Sequence, residues 1–233
     1  MTPENIEKVR GRIREACFRC GRNPDEVQLV AVTKTFGAEK IREAVAAGVR
    51  DFGENYAQEL NEKKRLLEEL EPERQGVRWH FIGHLQTNKV KLIANYIHLI
   101  HTVDNVRVAE EINKRGERSG RTIDVLVEVH TTDEATKYGI APGQAVGLVK
   151  AIARFPRVRV QGLMTMGPFS EDPEDSRPSF RQIVELKREL EQAGIPAVSM
   201  RHLSMGMTHD FEVAIEEGAT MVRIGTAIFG PRS

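Results

Sequence analysis

The sequence predicts an α/β fold: a single (β/α)8 TIM barrel with one extra helix at its N-terminus. Three observations lead there. Short apolar, β-branched runs alternate with amphipathic stretches along the chain, and such alternation demands a parallel sheet with helical crossovers. The runs number eight, and eight units in 233 residues fit a closed barrel better than an open sheet. No linker or composition break divides the chain, so residues 1–233 read as one domain, with no repeat beyond the alternation itself.

Residues 4–20 read as an amphipathic helix. Pro3 suits its first turn, Ile6, Val9, Ile13 and Cys17 share a face, and Gly21 supplies a C-cap. Asn23-Pro24-Asp25 turns the chain. Leu29–Lys34 is a continuous apolar run ending in lysine, the pattern of a strand buried on both faces. Ala38–Ala47 is a helix with Ile41, Ala44 and Val45 on one face and Gly48 past its end. Val49–Gly53 is a brief strand leading into Glu54-Asn55. Tyr56–Glu71 is a charged helix whose Lys64/Glu68 and Arg65/Glu69 pairs are solvated. Then come strand Val77–Ile82, helix Thr87–Asn95, strand Tyr96–Val103, helix Val106–Arg115 and strand Ile123–His130. Helix Pro142–Phe155 and strand Val158–Met166 precede Ser170–Ser179, which is dense in Pro, Asp, Glu and Ser and reads as a mobile loop. Helix Phe180–Ala193, strand Met200–Met205, a helix from an N-cap at Thr208 to Glu217, and strand Thr220–Ile224 complete the order.

Composition excludes several classes. Hydrophobic residues make up 40% and charged ones 29%, enough for a sizeable core, and the formal net charge is zero. Nothing points to nucleic acid or a membrane surface, and no run approaches a membrane-spanning length. Met1–Arg10 carries charges and no signal pattern. The expectation is a cytoplasmic protein with a bland surface that works as a monomer. Cys17-x-x-Cys20 has no second cysteine pair to complete a zinc site. Both cysteines read better as small residues on a buried helix face.

In barrels and open α/β sheets, ligands bind at the C-terminal strand ends. Those ends carry Lys34; Gly53-Glu54-Asn55; Gly83-His84; His101; His130; Met164-Thr165-Met166; His202 to Gly206; and Arg223-Ile224-Gly225-Thr226. The last two groups close strands seven and eight, where barrels commonly build a phosphate site. Ser204, Gly206, Gly225 and Thr226 have suitable chemistry, although turn glycines with ordinary caps fit the spacing equally well. Seven histidines raise a metal site. His80 and His84 straddle a strand end with no carboxylate or cysteine at ligand spacing, so core or rim roles suit them better. A lysine, a phosphate cup and an arginine on one rim suit an aldehyde cofactor with a phosphate handle, such as pyridoxal 5′-phosphate (PLP). Its Schiff base forms only with a neutral amine. Arg223 facing the pyridine nitrogen would disfavour protonation there and weaken the ring as an electron sink. Little carbanion chemistry follows, at most of a racemase type.

Six segments carry a resemblance: Ala31–Lys34 (AVTK), Phe52–Tyr56 (FGENY), Trp79–Lys89 (WHFIGHLQTNK), Gly162–Met166 (GLMTM), Leu203–Met207 (LSMGM) and Val222–Gly230 (VRIGTAIFG). In order and spacing they closely resemble the pyridoxal phosphate homeostasis protein family. The resemblance implies a barrel like the N-terminal domain of alanine racemase, with PLP held as a Schiff base on Lys34. It places Arg223 at the pyridine nitrogen, Ser204, Gly225 and Thr226 at the phosphate, and Asn55 near the ring. That family is regarded as carrying or buffering PLP, so the implied function is intracellular PLP (vitamin B6) homeostasis without turnover and without a catalytic residue. PLP-requiring apo-enzymes are the candidate recipients.

Small departures from the family pattern are Thr33 where serine is commoner and Thr208 for the serine after Met205-Gly206-Met207, which keeps the hydroxyl. His130-Thr131-Thr132 stands where many relatives carry Asn-Ile-Ser-like residues. Two other readings stay open. One is a weak PLP-dependent amino-acid racemase; the other is a barrel using Lys34 on a phosphorylated sugar without a cofactor. A racemase needs a second acid/base group opposite the cofactor, which in alanine racemase a C-terminal domain supplies across a dimer. The chain ends at Ser233, so that domain is expected to be absent, and sequence assigns the role to none of Tyr56, Tyr96 and Tyr138.

Overall fold

The computed structural model describes residues 2–68, 76–132 and 138–231. Among them, eight parallel strands close on themselves in chain order: β1 (Gln28–Val32), β2 (Asp51–Glu54), β3 (Arg78–Phe81), β4 (Leu99–Val103), β5 (Ile123–Glu128), β6 (Val158–Met164), β7 (His202–Ser204) and β8 (Met221–Ile224). The circle closes where β8 meets β1, with Val30 opposite Arg223 and Ala31 opposite Ile224. The expected barrel is the observed one. Its helices are α1 (Thr2–Arg19), α2 (Ala38–Ala46), α3 (Ala57–Leu66), α4 (Val90–Ile93), α5 (Val106–Ser119), α6 (Ala145–Ile152), α7 (Arg177–Gln192), α8 (Phe211–Glu216) and α9 (Thr226–Phe229).

Strand alternation sorts side chains into two apolar regions. Outward residues such as Ala31, Phe52, Phe81, Ile100, Val125, Leu163, Leu203 and Val222 join the helices in one continuous layer. Inward Leu99, Leu126, Met164 and Met221 form a separate plug inside the barrel. His101, Glu128 and Arg223 each stand two residues beyond a plug residue on the same strand, so the next layer toward the C-terminal rim is polar and buried.

The extra helix α1 packs on α2, α8 and α9 and so covers the seam between the first and last strands. It buries Ile6, Val9, Ile13, Ala16 and Cys17. Asn5 donates to the Ile228 carbonyl (3.0 Å) and Arg12 pairs with Glu212 (3.1 Å). Cys17 is buried and Cys20 is packed against the core, as small helix-face residues. Among the described residues no cluster of His, Cys, Asp or Glu is arranged to hold a metal, and no helix is long and apolar enough to cross a membrane.

Element ends depart from expectation for physical reasons. β1 stops at Val32, which leaves Thr33 and Lys34 beyond the strand. α5 runs on to Ser119 because a left-handed Gly120 (φ 68°) caps it there. The predicted helix from Thr87 begins as a 3-10 turn, Thr87–Lys89, and becomes α4 only at Val90. Asp210, not Thr208, precedes α8, and its carboxylate accepts the Met207 N–H (2.7 Å). The Ser170–Ser179 stretch, expected to be a mobile loop, is folded. Asp172 caps a 3-10 turn over Pro173–Ser176, Ser176 donates to Asp210 (2.8 Å), and Arg177 begins α7 while pairing with Glu174, Glu216 and Glu217. α9 had no counterpart in the sequence reading. Of the Arg65/Glu69 pair, Glu69 lies outside the described residues.

Candidate functional site

Strand parity decides which way each rim residue faces. Lys34 continues the inward parity of Val30 and Val32, whereas Thr33 and Glu54 take the outward parity and lie under α3. There Lys63 donates to the Thr33 carbonyl (2.6 Å), to Glu54 (2.7 Å) and to Glu59 (2.7 Å). The Thr33 hydroxyl donates to Glu54 (2.6 Å), and the Thr35 N–H donates to Glu59 (2.6 Å). Both neighbours of Lys34 are therefore tied to one ion network, with Lys63 and Glu54 buried in it. Burial pushes the Glu54 carboxyl up to about 7, against the pull of Lys63. Thr35 is held at φ 69°, a left-handed conformation that costs a residue of this kind about 1–3 kcal/mol. The network over-determines the backbone that presents Lys34, and Lys34 itself is half-buried.

Asn55 follows β2 with inward parity. Gly83 packs directly on its backbone, where a β-carbon would overlap the Asn55 carbonyl. The Asn55 Oδ1 is buried with no hydrogen-bond partner, as are Thr132 Oγ1 and one Glu128 oxygen beyond and at the end of β5. Buried polar atoms are rarely left so, and a ligand is one way to satisfy them.

Arg223 is fully enclosed. It donates to Ser204 Oγ (2.6 Å) and to the Thr165 carbonyl (2.9 Å). Burial lowers its pKa to about 10, opposed by Asp210 and Glu128, so it remains a cation at neutral pH. Its backbone N–H donates to the Gly206 carbonyl (3.0 Å), which ties the loop after β7 to β8. Gly206 has φ 89°, and a β-carbon there would stand 2.6 Å from Ala214. Ile228 and Phe229 both donate to the Gly225 carbonyl, so the amides of Thr226 and Ala227 come before the first helical bond of α9. Gly225 lies against Val32 and Thr226 is exposed.

The fold thus gathers the six sequence-predicted residues on one arc of the rim: Ser204 on β7, Arg223, Gly225 and Thr226 on and after β8, Lys34 after β1, and Asn55 after β2. These strands are successive neighbours. Sequence reasoning missed the Glu54–Lys63–Glu59 network. It also gave no partners to His101, Asp51 or Thr165. The available signal was a charged or imidazole side chain inside an apolar run, which is rare without a buried partner. His84 stacks on Tyr138, ring centroids 3.9 Å apart. A cleft of about 400 Å³, lined by Arg14, Gly48, Arg50, Asp51 and Arg78 among others, opens at the opposite, N-terminal end of the strands.

Residues 5–233 match the alanine racemase N-terminal domain family. A pyridoxal phosphate homeostasis protein from Aquifex aeolicus is 46% identical over 229 residues, covering 98% of this chain and 97% of that protein. Among solved structures, PipY of Synechococcus elongatus PCC7942 with PLP bound is similar at 31% identity and a TM-score of 0.84, over 99% of this chain and 100% of that one. An alanine racemase from Clostridium difficile 630 shares the fold at 15% identity and a TM-score of 0.76, over 98% of this chain and 57% of the racemase.

Proposed function

Because this chain belongs to the pyridoxal phosphate homeostasis protein family, we propose that it binds pyridoxal 5′-phosphate and serves the intracellular balance of that cofactor. The observation that carries this reading is the rim arc, with Lys34 after β1 flanked by Asn55 on one side and by Arg223, Gly225 and Thr226 on the other. The residues fit the group: a buried, unpartnered Asn55 oxygen, the amides that open α9, and a buried cation stand together there. When bound, PLP supplies an aldehyde that can take up an amine and a ring that can delocalise charge. Lys34 presents the amine. The opening amides of α9, at Gly225 and Thr226, receive the phosphate end. Arg223, held against Ser204 and Thr165, meets the ring nitrogen as a cation and disfavours its protonation.

That arrangement favours holding the cofactor over working it, and the full-length relatives are named for homeostasis rather than for a reaction. In this reading the protein is a cytoplasmic monomer without turnover, and PLP-requiring apo-enzymes receive the cofactor. Borohydride reduction of the PLP-loaded protein, followed by peptide mass mapping, tests the site. The label is expected on Lys34; a label on another lysine, or none, refutes the assignment. Turnover of an amino acid at enzyme-like rates would instead establish the racemase reading.

A further inference from the structure

A line of buried hydrogen bonds crosses the barrel interior and ends at Arg223. At the N-terminal end of β2, Asp51 holds Arg78 through two bonds (2.7 and 2.6 Å) and lies 2.9 Å from His80 Nε2. His80 Nδ1 lies 2.9 Å from His101 Nε2, and His101 Nδ1 lies 2.9 Å from Ser204 Oγ. Ser204 Oγ then accepts from Arg223 (2.6 Å). Both histidines are fully buried and Ser204 nearly so.

Donor and acceptor roles along this line are not free. Burial pushes up on the Asp51 carboxyl, yet hydrogen bonds from Arg78 and His80 outweigh it and hold the group well below the usual carboxylate range. An ionised Asp51 requires a proton on His80 Nε2. Burial holds His101 far toward its neutral form, and the positive charge of Arg223 acts the same way. Asp51 is already matched by Arg78, so a neutral histidine pair closes the line without another buried charge. His80 Nδ1 then accepts from His101 Nε2–H, and His101 Nδ1 accepts from the Ser204 hydroxyl. A serine hydroxyl has one proton. Here that proton goes to His101, and a lone pair receives Arg223. Phosphate oxygens need donors, and Ser204 has none left to offer.

We propose that Ser204 is a positioning residue for Arg223, oriented by Asp51, His80 and His101, and is not a donor to the cofactor's phosphate. This rests on the PLP reading above and assigns Ser204 to the ring end of the cofactor. Pyridoxal, which lacks the phosphate, separates the two roles. Affinities of wild type and Ser204→Ala for PLP and for pyridoxal are measured by absorbance titration. The expected result is an equal loss for both ligands, about tenfold, with Ser204→Thr restoring both. A loss confined to PLP, or no loss for either, overturns the proposal. A second measurement needs neither variant nor cofactor: ¹⁵N NMR of the histidine rings in the unloaded wild-type chain. Both rings are expected as neutral Nε2–H tautomers, and a proton on His101 Nδ1 overturns the proposal. Failure to label Lys34 with borohydride in wild type sinks the PLP reading itself, while the ring tautomers still decide the hydrogen-bond line.

Discussion

Glu128 is a carboxyl with little to hold its charge. It is 3% exposed, one of its oxygens has no partner, and burial together with Asp104 pushes it up to about 7 despite Arg223. The folded chain therefore keeps this proton up to about pH 7, whereas the unfolded chain releases it near its ordinary 4.5. Stability from this group is fully present below that lower value and is lost as pH rises between the two. Glu128→Gln removes the penalty, so the variant gains about 3 kcal/mol relative to wild type by pH 8 and little at pH 4. Urea unfolding across that range measures the gain; a pH-independent difference counts against the assignment. At this scale the sequence showed where polar groups sit but not what they meet. Lys34 and Arg223 stood out because each is a charge in or at the end of an apolar run. The role of His101 was not, because its partner Ser204 lies 103 positions away and only barrel closure joins them.

At the scale of elements, α3 is the instructive case. Its sequence is charged throughout and was read as a solvated helix, yet Lys63 faces inward and anchors both sides of Lys34. Periodicity finds apolar faces, and a buried lysine in a charged helix leaves no periodic trace. Lys63→Met leaves Glu54 buried without its cation and should cost about 3–5 kcal/mol. It should also release Thr33 and Thr35, so borohydride labelling at Lys34 falls even at temperatures where the variant remains folded. Full labelling in a destabilised but folded variant would show that the network supports stability alone. The Ser170–Ser179 segment misled in the opposite direction. Its Pro, Asp and Ser composition is that of a loop, but Ser176 and Arg177 find partners on and beside α8 that no local rule anticipates.

For the whole molecule, alternation and unit count were enough to specify the barrel, because a parallel sheet of this size has few ways to bury both faces. What they did not specify was how the circle is sealed. α1 lies across the β8–β1 seam with Ile6 fully buried beneath it. Ile6→Ala is expected to lower unfolding free energy by about 2–5 kcal/mol, read as a drop in the denaturant midpoint with an unchanged slope. A larger, separate early transition would mean that α1 detaches on its own.

Closure also orders events in time. Val30 has no partner on one side until Arg223 has been synthesised, and Asn5 waits for Ile228. Both contacts join opposite ends of the chain, so the loop entropy must be met before either contributes. On the ribosome, the N-terminal helix and first strand emerge early and stay incomplete until β8 and Ile228 have been made. The lysine's strand therefore gains its β8 neighbour only after Arg223 has been made, and a chain that stops short of β8 has no assembled site with which to capture the cofactor.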